Sequence, residues 1–361
     1  TKTRLGLELG FVNNRYSFVI EPYYNTSDNQ LWGRQLSNVT AFEALTLNGA
    51  SVVTRGVEFS TNLRLIEEDK HKLVVDANIT YNKNTLAQLP GGVREDIVLQ
   101  NDGGGDVPVV RRLGRAQFAN LMFVNKGVYA STTDVPVNPA TGLRLQYGTR
   151  GRDQFFKAGD PIWVDINGDY LIDENDMVPV GNPFPKFYGG ISPMYTFGPF
   201  QLRVSTSFVI KRDILNLVLA NRLKTYTSPT SIGAVQPIDE LNYWKPSNGD
   251  LDNGSAGAVY PNPYDFTRAG ALDPYRVNQT LYMEDGSYFK IGSIALSYTV
   301  PEARIKQFGM SQLRVNASMY NVYTFSKYSG INPETVTQLG RDISGGYPVP
   351  RGYSLGIAVQ F

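Results

Sequence analysis

The sequence predicts an all-β fold, an antiparallel transmembrane β-barrel with long extracellular loops. Three observations lead there. Extended segments of about ten residues, the length of a tilted membrane strand, alternate apolar and polar side chains. The links between them alternate between short and long. No apolar run approaches the ~18 residues of a membrane helix.

Composition narrows the class further. The 361 residues carry a net charge of +1, so there is no basic excess pointing to a nucleic-acid partner. Cysteine is absent, which excludes disulfides and thiolate metal sites, and the single histidine, His71, excludes a histidine cluster. Tyrosine (22), phenylalanine (18) and glycine (35) are abundant, as in barrels and sandwiches. The chain starts at Thr1 without a signal peptide and reads as a mature or partial chain.

Along the chain, Leu5, Leu7, Leu9 and Phe11 alternate with Gly6, Glu8 and Gly10. Val57, Phe59, Leu63 and Leu65 alternate with Glu58, Ser60, Asn62 and Arg64, and Leu73 to Tyr81 repeat the pattern. Leu202 to Ile210, Leu313 to Met319 and Tyr353 to Phe361 do the same. Soluble sandwich strands alternate too, but usually run nearer 5–6 residues. Here the polar positions include Arg, Glu and Asp, which suits a wet lumen. Phe289 and Ile291 share one parity whereas Ile294, Leu296 and Tyr298 share the other, so Gly292–Ser293 is expected to be a bulge that resets the face.

Nine strands follow, near 4–12, 15–25, 53–66, 71–85, 187–197, 200–210, 286–299, 311–324 and 352–361. Asn13–Asn14, Glu67–Lys70 and Gly198–Pro199 are tight links and 300–310 is moderate, whereas 26–52, 86–186, 211–285 and 325–351 are long. Outer-membrane barrels have short periplasmic turns and long external loops, which places the C-terminus in the periplasm and the start of this chain outside. An odd strand number does not close a bacterial single-chain barrel. Residues 1–361 are therefore read as the C-terminal part of one barrel domain, of a plugged barrel of ~22 strands. Upstream strands are expected beyond this chain, unless 86–186, read as a long extracellular insertion, hides more. Asn101 to Asp106, Ser228 to Gly233 and Asn248 to Gly257 read as irregular surface loops.

The strongest local motif runs from Asp165 to Asp176. Asp165, Asn167, Asp169, the Leu171 carbonyl, Asp173 and Asp176 occupy the spacing of a calcium loop. Tyr170 stands where such loops have glycine, and Asp176 where they have a bidentate glutamate. A structural Ca²⁺ and a loop of solvated Asx turns are the two readings. Aromatic residues concentrate in 211–285. Of these, Tyr243, Trp244, Tyr260 and Tyr264 are candidates for contact with a ligand or a protein lid, against packing of the loop on itself, and Phe266 and Tyr275 lie beside them. Tyr16, Tyr23, Tyr24, Tyr298, Tyr320, Tyr323 and Tyr353 suit an interfacial girdle. An alternating last strand ending in Phe361 has the form of an outer-membrane insertion signal. His71, beside Lys70 and Lys72, reads as a solvated turn residue. No GxSxG, HExxH or P-loop occurs, and no carboxylate pair is marked as catalytic, so an enzyme is not expected.

Several stretches together resemble the SusC/RagA family of TonB-dependent outer-membrane transporters. They are Tyr288 to Pro301, Leu313 to Glu334, Tyr347 to Phe361, Asp165 to Lys186 with its Gly181-Asn-Pro183-Phe-Pro185, and Tyr243-Trp-Lys-Pro246. Gly56-Val-Glu58 is similar more loosely, and 86–164 matches poorly. Tyr170, Lys290 and Asn332 depart from the family pattern. The resemblance implies a plugged barrel that imports oligosaccharides or peptides beneath a SusD-like lipoprotein. It also implies a TonB complex engaged through the N-terminal part and a wall against outer-membrane lipid. The alternatives are a SusC-like barrel serving as a structural subunit of a larger multi-subunit envelope assembly, and a passive porin or outer-membrane enzyme.

Overall fold

The computed structural model describes residues 1–36, 39, 42, 44–98, 107–148, 154–224, 241–268, 270, 272–343 and 348–361. The loop stretches Asn101 to Asp106 and Ser228 to Gly233, and Tyr347 of the C-terminal motif, lie outside them. A single 10-stranded sheet forms a wall. Its strands are β1 (Lys2–Arg4), β2 (Leu7–Phe11), β3 (Tyr16–Gln35), β4 (Ala44–Glu67), β5 (His71–Gln88), β6 (Phe187–Phe197), β7 (Phe200–Ile210), β8 (Tyr288–Thr299), β9 (Gln312–Ser326) and β10 (Gly352–Gln360). β1 and β2 both pair with β3, and each later strand pairs antiparallel with the next in chain order. The first predicted strand is thus split at Leu5–Gly6, and the others stand where the alternation puts them.

Register explains why the wall has two faces. In an antiparallel ladder directly paired residues project to the same side. Leu9 pairs with Phe18, Ile20 with Phe59, Phe59 with Ile79, Phe187 with Ile210, Leu202 with Leu296, and Ala317 with Leu355. One face is therefore apolar from edge to edge. The other carries rows such as Ser17, Asn62, Asp76 and Ser192. A one-residue slip in any strand would put its apolar set among these polar rows, so the pattern fixes the register.

The expected bulge is at Gly292. It is passed over where Ile291 and Ser293 pair with Thr206 and Ser205, and the shift returns Phe289 and Leu296 to one face. At the Asn13–Asn14 turn, Val12, Asn13 and Asn14 have φ of 53°, 52° and 61°. Asparagine enters this left-handed region more readily than most residues.

One expectation is corrected. The predicted long loop 26–52 is mostly strand, because β3 continues to Gln35 and β4 starts at Ala44. A polar run, Asn25 to Gln30, hides the continuation: past the membrane no strand face meets lipid, and alternation no longer marks a strand. At ~3.3 Å per residue, the 24 residues of β4 reach roughly 80 Å, well beyond a ~30 Å hydrocarbon layer even when tilted.

The core sits in the long links, which converge on one end of the wall. The link from β5 to β6 contains a 4-stranded sheet ordered Val178–Val180, Ala119–Met122, Val109–Arg112, Glu95–Val98. Val107 and Met122 from this link share a core with Leu215, Leu217, Ala220, Tyr275 and Tyr282 from the β7–β8 link. Phe123, Phe156, Trp163 and Ile172 share a second core with Leu272. The extended ends of β3–β5 carry a third, where Trp32 lies under Arg111, 4.2 Å from ring centroid to guanidinium, and donates its indole N–H to Asp96.

Candidate functional site

The functional unit is a two-faced wall closed at one end by a cap made of the long links. Among the described residues, large apolar side chains stay exposed along the apolar face, including Leu355 (77 %), Ile357 (68 %) and Leu7 (51 %). A soluble monomer seldom exposes a contiguous apolar patch above a few hundred Å². This face runs through every wall strand.

At the short-turn end, aromatic rings gather on that face. The His71 ring lies 4.7 Å from Phe197, and its Nδ1 is 2.7 Å from the Tyr195 hydroxyl. Phe200 and Tyr298 are 4.8 Å apart, centroid to centroid. His71 is therefore no solvated turn residue; it opens β5 and joins an aromatic row. Tyr16, Tyr298, Tyr323 and Tyr353 pair with Phe11, Phe200, Ile291 and Met319, whereas Tyr24 shares their face but stands opposite Thr3 and Arg55. Tyr23 and Tyr320 fall on polar rows, opposite Gly56 and Ser293. Tyr23 is buried and its hydroxyl donates to Asn82.

The polar face forms a shallow depression of about 390 Å³ lined by Ser17, Ser60, Asn62, Asp76, Asn78 and Ser192. Asn62 Nδ2 donates to Asp76 Oδ1 at 2.6 Å, and Arg4 lies 3.6 Å from Glu58. Such a surface offers hydrogen bonds without a reactive group. Hydroxyls and amides stand among few carboxylates, and no nucleophile–base pair is assembled there.

The cap is cross-linked by buried polar groups. Gln279, fully buried, accepts from the Trp163 indole at 2.9 Å and from Asn125 Nδ2 at 2.8 Å, and donates to the Pro274 and Arg276 carbonyls. The Arg276 guanidinium lies 5.0, 5.2 and 5.6 Å from the Phe123, Tyr147 and Trp163 rings. Arg341, from the β9–β10 link, is fully buried and donates to Asn120 Oδ1 and to the Val107 carbonyl. None of these links was visible to sequence patterning; a lone polar residue inside an aromatic-rich loop is the only cue.

The four ring candidates separate. Trp244 is 1 % exposed, gives its indole N–H to the Ala130 carbonyl at 3.1 Å, and packs with Val128, Ala158 and Ala258, so it is core and cannot contact a ligand. Tyr260 packs against the shared core, and burial raises its hydroxyl pKa. Tyr243 and Tyr264 meet edge to face at 5.9 Å, Lys245 lies 4.8 Å from the Tyr243 ring, and Tyr264 is 58 % exposed. Phe266 is exposed and Tyr275 buried. The terminal Phe361 is exposed beyond β10, on the face of Ile357 and Val359.

In the acidic loop the sixth position takes the left-handed geometry that glycine usually supplies, with Tyr170 at φ 62°. Its oxygens, however, accept the loop's own amides. Asp165 accepts from Gly168 and Tyr170, Asn167 from Asp169, and Asp169 from Leu171. Asp173 and Asp176 form a capping box, and Asp176 also accepts from Ile166. Burial pushes the Asp176 carboxyl above the usual carboxylate range, against amide bonds from Asp173 and Ile166 that pull it down. No set of three acidic or histidine side chains is grouped to hold a metal ion among the described residues. The loop is thus closed by its own amides, each carboxylate keeping lone pairs beyond those bonds, and Leu171 is held by its amide and buried side chain.

No family model matches the chain. TonB-dependent receptor P3 of Formosa agariphila is 24 % identical over 370 residues, covering 99 % of this chain and 33 % of that protein. TonB-dependent receptor SusC of Bacteroides thetaiotaomicron is 23 % identical over 368 residues, covering 100 % of this chain and 32 % of that protein. Among solved structures, the RagAB peptide transporter superposes with a TM-score of 0.72 at 18 % identity, over 100 % of this chain and 35 % of that one. The chain spans about a third of the length of the curated relatives it matches. The fold is the antiparallel transmembrane barrel of such transporters. In sequence and in fold, this chain is similar over its whole length to the TonB-dependent receptors of the SusC and RagA kind.

Proposed function

We propose that this chain is wall and cap of an outer-membrane importer of oligosaccharides or peptides, driven through TonB and covered by a SusD-like lipoprotein. The observation that carries this reading is the register-matched wall, apolar on one face and hydrogen-bonding on the other, with a folded cap at one end. The likeness to SusC and to the peptide-transporting RagAB supports it. In this reading the long-link end faces outward and the C-terminus faces the periplasm. The acidic loop is a brace closed by its own amides.

The test is uptake by intact cells carrying or lacking the gene, with labelled peptide and oligosaccharide pools as substrates and the proton gradient collapsed in a parallel arm. Gradient-dependent loss of one substrate class in the deletion supports import. Unchanged uptake, with the protein copurifying in a large envelope assembly, would instead make it a scaffold.

A further inference from the structure

On the apolar face a groove of about 670 Å³ opens toward the long-link end, lined by Ile79, Ile191, Phe208, Ile210, Phe289 and Phe325. Pockets for small ligands typically run 300–1,000 Å³. One register row runs Ile79, Gly189, Phe208, Phe289, Phe325, and its four side chains all line the groove. A Cβ at Gly189 would come within 2.1 Å of the Asn78 carbonyl oxygen, so the ladder itself requires glycine there.

The rim of this groove is basic. Lys327 lines it directly, and the Lys211 amide donates to Ser287 Oγ, another lining group. Ser287 brings the two together, because its carbonyl also accepts Ser326 Oγ, next to Lys327. Both cations are exposed, and neither has an ion-pair partner among the described residues. The only carboxylate lining the groove is Asp285, whose Oδ1 already accepts the Ser287 amide. Basic residues just outside an apolar membrane face attract anionic head groups.

We propose that the groove and its rim form a site for one phosphate-bearing lipid of the outward leaflet, an acyl chain lying among Ile191, Phe208 and Phe289 and the phosphate meeting Lys211 and Lys327. This rests on the barrel-wall reading and adds a specific ligand to it. Annular lipid touches the whole face alike, whereas this site combines a cavity with two cations beside one rim residue, Ser287.

The experiment uses the full-length protein, purified in detergent, delipidated, and incubated with bis-phosphorylated lipid A before native mass spectrometry. Lipid A should be retained in preference to phosphatidylethanolamine. Lys211→Gln with Lys327→Gln should weaken retention about fivefold per cation removed. Ile191→Trp, which fills the groove without touching charge, should weaken it as well. Lys70→Gln with Lys72→Gln, at the opposite end of the wall, should leave it unchanged. Equal retention of dephosphorylated lipid A, or an equal loss in the Lys70/Lys72 pair, would overturn the site. A protein that stays monodisperse without detergent would overturn the barrel reading itself, which is a separate outcome.

Discussion

Arg268 joins two long links by donating from Nε to Asp160 Oδ1 at 2.9 Å, with a second bond from its terminal nitrogen to Oδ2. Asp160 is 1 % exposed and also accepts the Lys157 amide, while Arg268 reaches the Phe155 carbonyl. The pair lies between the β5–β6 and β7–β8 links, so it sets how one half of the cap sits on the other. Burial raises the Asp160 pKa, and the Arg268 charge and hydrogen bonds oppose that rise.

Removing Arg268 leaves this carboxylate buried without its cation. Arg268→Ala should destabilise the cap by about 3–5 kcal/mol at neutral pH. The sign of the pH effect follows from the raised pKa. The folded cap holds the Asp160 proton more tightly than the unfolded chain does, so stability rises as pH falls through the folded pKa toward the ordinary value. Without Arg268 that pKa moves higher still, and the deficit should shrink on acidification from pH 7. Hydrogen exchange of the 154–164 amides at several pH values reads this out; a deficit independent of pH would contradict it.

Trp244 and Tyr264 should part company under mutation. Trp244→Ala opens a cavity among Val128, Ala158 and Ala258 and loses the bond to Ala130, with an expected cost of about 3–5 kcal/mol. Tyr264→Ala removes a half-exposed ring and its edge-to-face contact with Tyr243, and should cost only about 0.5–1.5 kcal/mol. Limited proteolysis of the cap compares the two directly.

Gln279→Leu should be costly for a different reason. It leaves the Trp163 indole and the Asn125 amide without their acceptor, at about 1–3 kcal/mol for each buried donor. Indole fluorescence and exchange at Phe123 and Thr280, whose backbones cross-bond nearby, report the loss.

The acidic loop should respond to substitution and not to calcium. Asp176→Asn replaces one of two acceptors for the Ile166 and Asp173 amides and should cost about 1–3 kcal/mol with or without Ca²⁺. Calorimetric titration should show no binding heat. Heat of binding accompanied by a calcium-dependent melting shift would restore the metal reading.

The wall was legible because lipid and water impose period-2 alternation wherever a strand crosses between them; even the bulge at Gly292 announced itself as a parity change. The same logic explains what was missed. Beyond the membrane, β3 from Thr26 to Gln35 is no longer divided between lipid and water, and only Trp32 is buried there, under the β5–β6 link, so its composition reads as loop while its backbone still pairs. In the cap, burial is decided by contacts between distant links. Trp244 reaches Ala130, and Arg341 reaches Asn120 and Val107, partners that no local period encodes. Spacing suggested a cation for the acidic loop, but the backbone amides beside each oxygen are equally good partners, and spacing cannot weigh one against the other.

The two-sidedness of the wall is tested most directly by single cysteines in the reconstituted full-length protein, which this cysteine-free chain permits without background of its own. Spin labels placed in turn at Asn78, Ile79, Thr80 and Tyr81 of β5, and at Leu202 to Val204 of β7, should alternate between collision with lipid-dissolved oxygen and with a water-soluble nickel chelate. Ile79, Tyr81, Leu202 and Val204 should fall on the lipid side. Uniform exposure to the aqueous chelate at every position would show that neither face meets lipid.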